Sequence, residues 1–110
     1  MARILIGEPF PEVSQLLVHL LSRLGHEPVL APADGRPVPI PDVFLFEPDS
    51  AEQLELARAL RGRAPELPLV VCSILPPSEA TRALSPAAHV LKPFRRAELA
   101  AALALASADR

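Results

Sequence analysis

The segment VFLFE, residues 43–47, places four apolar side chains directly before a carboxylate. Three more segments repeat this pattern, each an apolar run that ends on one polar residue: ILIGE at 4–8, LVVCS at 69–73 and VLK at 90–92. Short, nearly continuous apolar runs are typical of strands buried on both faces, as in parallel sheets covered by helices. Sites in such sheets gather at the carboxyl ends of the strands. We therefore expect four polar side chains to converge on one rim of the sheet: Glu8, Glu47, Ser73 and Lys92.

Length and composition indicate one domain that spans residues 1–110. Half of the residues are hydrophobic, which favours a packed core over disorder. A net charge of −2 with 4% aromatic residues lacks the basic patch or stacking rings of a nucleic-acid surface. No apolar run approaches the roughly 20 residues of a membrane span, and the N-terminus does not resemble an export signal. A single cysteine, Cys72, fits a reducing, cytoplasmic setting, and we expect it to be buried.

Helical patterns alternate with the predicted strands. Apolar residues recur at helical spacing from 11 to 24, from 54 to 60 and from 95 to 107, and a brief helix follows 76–79. Ser50 and Gln53 form a capping-box pattern at the start of the second of these helices. Together with strands predicted at 3–7, 28–31, 43–47, 69–73 and 88–91, this alternation predicts an α/β fold. Its sheet is parallel, with right-handed crossovers and helices on both faces.

Residues 32–41 interrupt this alternation with four prolines and a glycine. Alternating prolines cannot form a helix, and each proline restricts the residue before it to extended geometry. We predict a loop with polyproline character at this point of the chain.

Four motifs resemble those of response-regulator receiver domains, the modules of two-component signalling. ILIGEPFP is similar to the family's first strand and acidic turn, usually ILIVDDEP, and PDVFLFE is similar to PDLVLLD, whose final Asp accepts a phosphoryl group. LPLVVCS resembles PIIMLT, which ends on a Thr or Ser, and HVLKPF resembles YLTKPF with its Lys-Pro pair. The resemblance covers the whole chain and implies a flavodoxin-like, three-layer fold with strand order 2-1-3-4-5. The family's second helix is missing here, replaced by the proline-rich loop.

The family's chemistry depends on a metal ion held by the acidic turn and the acceptor Asp, and this chain departs from both. Pro9 stands where the resemblance places a metal ligand, and magnesium does not easily tolerate the loss of a carboxylate. Glu47 stands at the acceptor position, where its extra methylene displaces the carboxylate by about 1 Å, a shift that can cost roughly 100-fold in rate. We expect lost or weak Mg²⁺ binding, no resident metal or cofactor and no enzymatic activity. These departures favour a pseudo-receiver outside the ordinary phosphorelay, one that acts through protein–protein contacts.

Several alternatives remain open at the rim. A contact between Glu47 and Lys92 would let the longer carboxylate imitate a phosphorylated Asp, whereas a solvated pair would contribute little. A divergent receiver would still accept a phosphoryl group on Glu47. Asp49 is the nearest other acceptor, although we expect it outside the strand as a helix-proximal cap residue. A small flavodoxin-like ligand-binding protein would need a glycine-rich phosphate loop, and the turn at 7–11 carries prolines instead.

The last strand and the last helix supply the predicted interaction residues. His89 stands where the family often has an aromatic switch residue, although a half-exposed histidine without a role is the plain alternative. The resemblance also implies a cis bond before Pro93. Leu99 and Leu103 are expected on an interaction face formed by the last two helices and the last strand. This face would serve a homodimer or a protein partner, such as a histidine kinase or an effector; the alternative is a helix that only covers the sheet.

Overall fold

The computed structural model describes residues 2–34 and 36–108 and contains one five-stranded sheet. The strands are β1 (Arg3–Gly7), β2 (Glu27–Leu30), β3 (Val43–Phe46), β4 (Leu69–Ser73) and β5 (Ala88–Leu91). The helices are α1 (Pro11–Arg23), α2 (Ala51–Arg63), α3 (Glu79–Arg82) and α4 (Arg96–Ala108). All paired strands run parallel in the order β2-β1-β3-β4-β5, so the predicted α/β fold and strand order are confirmed.

Two strands differ from their predicted bounds, and β2 differs at both ends, because it also stops at Leu30, one residue before the predicted end. β2 begins one residue earlier than expected, since the N–H of Glu27 already donates to the carbonyl of Ala2 at 2.9 Å. Its second residue, Pro28, is tolerated because β2 is an edge strand. β3 ends at Phe46, which makes Glu47 the first residue beyond the strand.

The sheet separates two apolar clusters. On one face, α1 and α4 bury Leu17, Leu21 and Leu99 against the sheet. On the other face, α2 buries Leu60 against strand residues that include Phe44. Because both faces are covered, every side chain of β3 and β4 is buried, as the apolar runs predicted.

The proline-rich connection has the predicted character, with no helix among the described residues from 31 to 42. Val38 is buried in the cluster on the α2 face. Arg63 holds this loop in place, since its Nη1 donates to the carbonyl of Val38 at 3.0 Å. The loop therefore covers part of the sheet with one apolar side chain.

The helix starts follow local chemistry. Pro11 occupies the first turn of α1, where its missing N–H needs no partner. Ser50 caps α2 as predicted, because its hydroxyl accepts the N–H of Gln53 at 3.4 Å. Among the described parts of the chain, no helix is long and apolar enough to cross a membrane.

The expectation that Leu99 and Leu103 lie on an interaction face is wrong. Both side chains are buried in the cluster beneath α1 and α4. Leu99, Leu103 four residues later and Ala106 three residues after that lie on the side of α4 that packs on the sheet. Leu105 lies on the exposed side of the same helix. The plain alternative, in which these two leucines only help α4 to cover the sheet, is the one that the structure supports.

Candidate functional site

The rim is formed by the carboxyl ends of four adjacent parallel strands. Glu8, Glu47 and Lys92 each directly follow a strand, and Ser73 is the last residue of β4. The pairings β1–β3, β3–β4 and β4–β5 bring these strand ends side by side. The predicted convergence is therefore confirmed, and it follows from topology.

Lys92 is bound by two carboxylates. Its Nζ donates to Oε1 of Glu8 and, at 3.1 Å, to Oε1 of Glu47. The exposed side-chain fractions are 2% for Glu8, 7% for Glu47 and 12% for Lys92. The predicted contact between Glu47 and Lys92 is present, and Glu8 joins it. We call these three side chains the lysine triad.

The electrostatics of the triad favour the charged lysine. Burial opposes the ammonium, but hydrogen bonds and charge attraction from Glu8 and Glu47 outweigh it, so the pKa of Lys92 is raised. Because one ammonium faces two carboxylates, the ionised triad keeps one excess negative charge.

The second oxygen of each carboxylate is also bound. Oε2 of Glu8 accepts the N–H of Phe10 at 3.2 Å, and Oε2 of Glu47 accepts the N–H of Asp49 at 3.3 Å. In both turns the intervening residue is a proline, which has no N–H, so the carboxylate binds the residue after it. A repeated Glu-Pro pair therefore orients both carboxylates on the rim.

Ser73 is bound to Asp49 instead of the triad. Its Oγ donates to Oδ2 of Asp49 at 2.9 Å and accepts the N–H of Leu75 at 3.2 Å. Asp49 lies outside β3 as predicted, but the cap of α2 is Ser50, so the expected capping role of Asp49 is wrong. Asp49 instead accepts a hydrogen bond from the hydroxyl of Ser73 at the rim.

The residues near the end of β5 are placed as follows. The ring of His89 is partly buried, and its Nε2 lies 3.2 Å from the carbonyl oxygen of Leu75. The peptide bond between Lys92 and Pro93 is cis, as the resemblance implied. A switching role for His89 stays a prediction.

The donor set at the rim does not fit a resident magnesium ion. Pro9 supplies no side-chain oxygen, and the ammonium of Lys92 binds an oxygen of both Glu8 and Glu47. Magnesium requires oxygen ligands in near-octahedral geometry. Within residues 2–34 and 36–108, no group of three or more Asp, Glu, His or Cys side chains is arranged to hold a metal ion.

Comparison with known proteins gives a consistent fold. No protein-family profile and no curated protein matches the sequence. The chemotaxis response regulator CheY4 of Vibrio cholerae superimposes with a TM-score of 0.79 at 18% identity, over 96% of this chain and 98% of that chain. The BeF3-activated DrrB receiver domain gives 0.75 at 17% identity, over 100% and 99%. NtrX from Brucella abortus, in complex with ADP, gives 0.78 at 24% identity over 99% of this chain, which spans 28% of NtrX. The chain has the receiver fold.

Within the receiver fold, two contacts at the rim are not predictable from the sequence motifs. They are the bond between Glu8 and Lys92 and the bond between Asp49 and Ser73. One signal was available, because Glu-Pro occurs directly after both β1 and β3. That repeat points to two similarly held carboxylates, although it does not identify their partners.

Proposed function

We propose that the chain is a pseudo-receiver, a signalling module that acts through protein–protein contacts and does not use Mg²⁺-dependent phosphorylation. The observation that carries this proposal is the binding of Lys92 by both Glu8 and Glu47. In this proposal the chain is not an enzyme, binds Mg²⁺ weakly or not at all, and works in the cytoplasm.

Both groups that resemble a phosphoryl-binding pair are already engaged. Lys92 donates to two carboxylates, and the Ser73 hydroxyl gives its proton to Asp49. An incoming phosphoryl group would have to displace carboxylates from both donors while approaching three negative charges. Without a well-held metal ion, little at the rim offsets that repulsion.

The same contacts support a constitutive arrangement of the rim. The carboxylates of Glu47 and Asp49 bind Lys92 and Ser73, the two residues that resemble the family's phosphoryl-binding donors. In our proposal these carboxylates take the place of the phosphoryl oxygens, so the surface offered to a partner does not depend on a phosphodonor.

The test uses the fact that Lys92 is the only lysine in the sequence. Uniformly ¹³C,¹⁵N-labelled protein gives a single set of lysine side-chain signals, of which that of the Lys92 Cε methylene next to the ammonium reports on the rim. We expect this signal, and the backbone amide of Ser73, to be unchanged when Mg²⁺ and then beryllofluoride are added. The matched control is the double variant Pro9→Asp/Glu47→Asp, which restores both acids and should respond. Metal-dependent shifts in the wild-type protein would contradict the proposal.

A second candidate function is a divergent receiver that is phosphorylated on Glu47. It is favoured by the position of Glu47 directly after β3, within 3.1 Å of Lys92. Mass spectrometry after incubation with acetyl phosphate and Mg²⁺ separates the two candidates. A phosphoryl adduct that fragmentation assigns to Glu47, and not to the neighbouring Asp49, would establish the second candidate, and unmodified protein supports the first.

A further inference from the structure

We propose that the groove above the lysine triad docks a segment of a partner protein that carries an arginine between apolar side chains. This inference rests on the proposed function, since a site for phosphotransfer must admit an anion. The rim groove, as we call it, has a volume of about 560 Å³. The residues that line it include Pro9, Phe10, Glu47, Asp49, Ile74 and Lys92.

Large apolar side chains at the mouth of the groove are exposed to water. Phe10 is 60% exposed and Ile74 is 67% exposed, and both line the groove. Leu75, the next residue along the chain, is also exposed. Exposed apolar side chains that gather around one groove indicate a binding surface, whereas scattered ones need no explanation. The partner segment should therefore present apolar side chains to these walls.

The carboxylates at the groove outnumber its one ammonium, which favours binding of a cation over binding of an anion. The triad has one carboxylate in excess, and the exposed carboxylate of Asp49 adds a second negative charge. An anion would also find two of the three ammonium protons of Lys92, and the hydroxyl proton of Ser73, already donated. A guanidinium is the cation that fits best, since it binds carboxylates through two parallel hydrogen bonds and stacks on aromatic rings such as Phe10.

Hydrogen bonds hold the backbone of Phe10, which lines the groove, and of Leu75, which follows the lining residue Ile74. The N–H of Phe10 donates to Glu8, and the N–H of Leu75 donates to the hydroxyl of Ser73. The carbonyl of Leu75 lies 3.2 Å from Nε2 of His89. A surface ordered before binding loses less conformational entropy when a partner docks. The same contacts that occupy the phosphoryl donors therefore also prepare the groove.

The experiment titrates the full ¹⁵N-labelled chain with acetyl-Leu-Arg-Leu-amide and follows backbone amide shifts. We expect saturable shifts at Phe10, Asp49 and Ile74. The peptide with Gln in place of Arg should bind about fivefold more weakly, and the peptide with Glu should not bind. Asp49→Asn should weaken binding of the Arg peptide about fivefold, the size expected for a partly exposed ion pair. Glu66→Gln, an exposed acid that does not line the groove, is the matched control and should leave binding unchanged.

The outcomes separate this inference from the proposed function. Equal binding of the Arg and Glu peptides, no binding of either, or an unchanged affinity in Asp49→Asn overturns the docking inference. If the lysine signal of the same protein stays silent to beryllofluoride, the proposed function survives that result. A lysine signal that responds to beryllofluoride overturns the proposed function instead. A fold check on Asp49→Asn by circular dichroism shows whether a loss of affinity reflects the charge or the structure.

Discussion

Replacing Lys92 by methionine measures how much the lysine triad contributes to the free energy of unfolding. Lys92→Met keeps an unbranched side chain and deletes the ammonium, so Glu8 and Glu47 remain buried without a cation between them. Removing one partner of a buried ion pair costs about 3–5 kcal/mol, because the remaining charge is left uncompensated. Small domains unfold with a free energy of about 5–15 kcal/mol, so Lys92→Met should lose a large share of its stability.

The assay is urea unfolding at pH 7, followed by circular dichroism. With a denaturant dependence of about 1–3 kcal/mol/M, a loss of 3 kcal/mol lowers the midpoint by at least about 1 M. The triple variant Lys92→Met/Glu8→Gln/Glu47→Gln should recover most of that loss, because no charge stays buried. Arg58→Met breaks the exposed pair with Glu55 and should cost less than about 1 kcal/mol.

A small effect would refute this reasoning. If Lys92→Met lost less than about 1 kcal/mol and the triple variant were no more stable, the carboxylates would have to be hydrated in the folded protein. The rim would then be open to water and ions, and the argument that its donors are already occupied would fail.

Three further predictions concern pH and packing. The pKa of Lys92 is raised in the folded protein. The contribution of the ammonium to stability is therefore complete below the unfolded-state pKa of about 10.4 and is lost as the pH rises through the folded-state pKa. In urea unfolding at alkaline pH, the stability of the wild-type protein should fall more steeply than that of Lys92→Met. Gly7→Ala should cost about 1–3 kcal/mol in thermal melts, because its Cβ would lie 2.8 Å from the ring of Phe44, which is fully buried and cannot easily move. Gly62→Ala meets nothing within 4 Å and should not destabilise the protein. Arg61→Met should cost about 1–3 kcal/mol by the same melts, since its guanidinium donates to three backbone carbonyls at 3.2 Å or less; a melt unchanged from wild type would show that water satisfies those carbonyls.

Most of the sheet could be predicted from the sequence because most of its strands coincide with short, nearly continuous apolar runs. The apolar runs of β1, β3 and β4 are buried on both faces, so their length marks the strand and the polar residue at the end marks the rim. The same logic predicted the contact of Glu47 with Lys92, since the resemblance places both on one rim. The proline-rich loop was equally predictable, because proline excludes a helix whatever the tertiary context.

The wrong or missing predictions concern positions where tertiary packing, and not the sequence pattern, decides which neighbour a side chain contacts. α4 is apolar on more than one side, so composition does not say which leucines face the sheet, and Leu99 and Leu103 were assigned to the wrong surface. The partner of Ser73 was missed for a related reason. Strand topology shows which residues share an edge, but the choice between Lys92 and Asp49 as a neighbour depends on side-chain rotamers across the rim.

The Glu-Pro turn after β1 explains why both oxygens of the Glu8 carboxylate are bound. Pro9 offers neither a side-chain oxygen nor an N–H, and Glu8 binds the N–H of Phe10 through one oxygen and Lys92 through the other. A carboxylate held at both oxygens is poorly placed to serve a metal ion as well. Restoring an acid with Pro9→Asp alone would therefore add a third carboxylate beside one ammonium without freeing Lys92. In the proposed pseudo-receiver, a phosphoryl site would also require Glu47→Asp, because the shorter side chain withdraws the second carboxylate from the lysine.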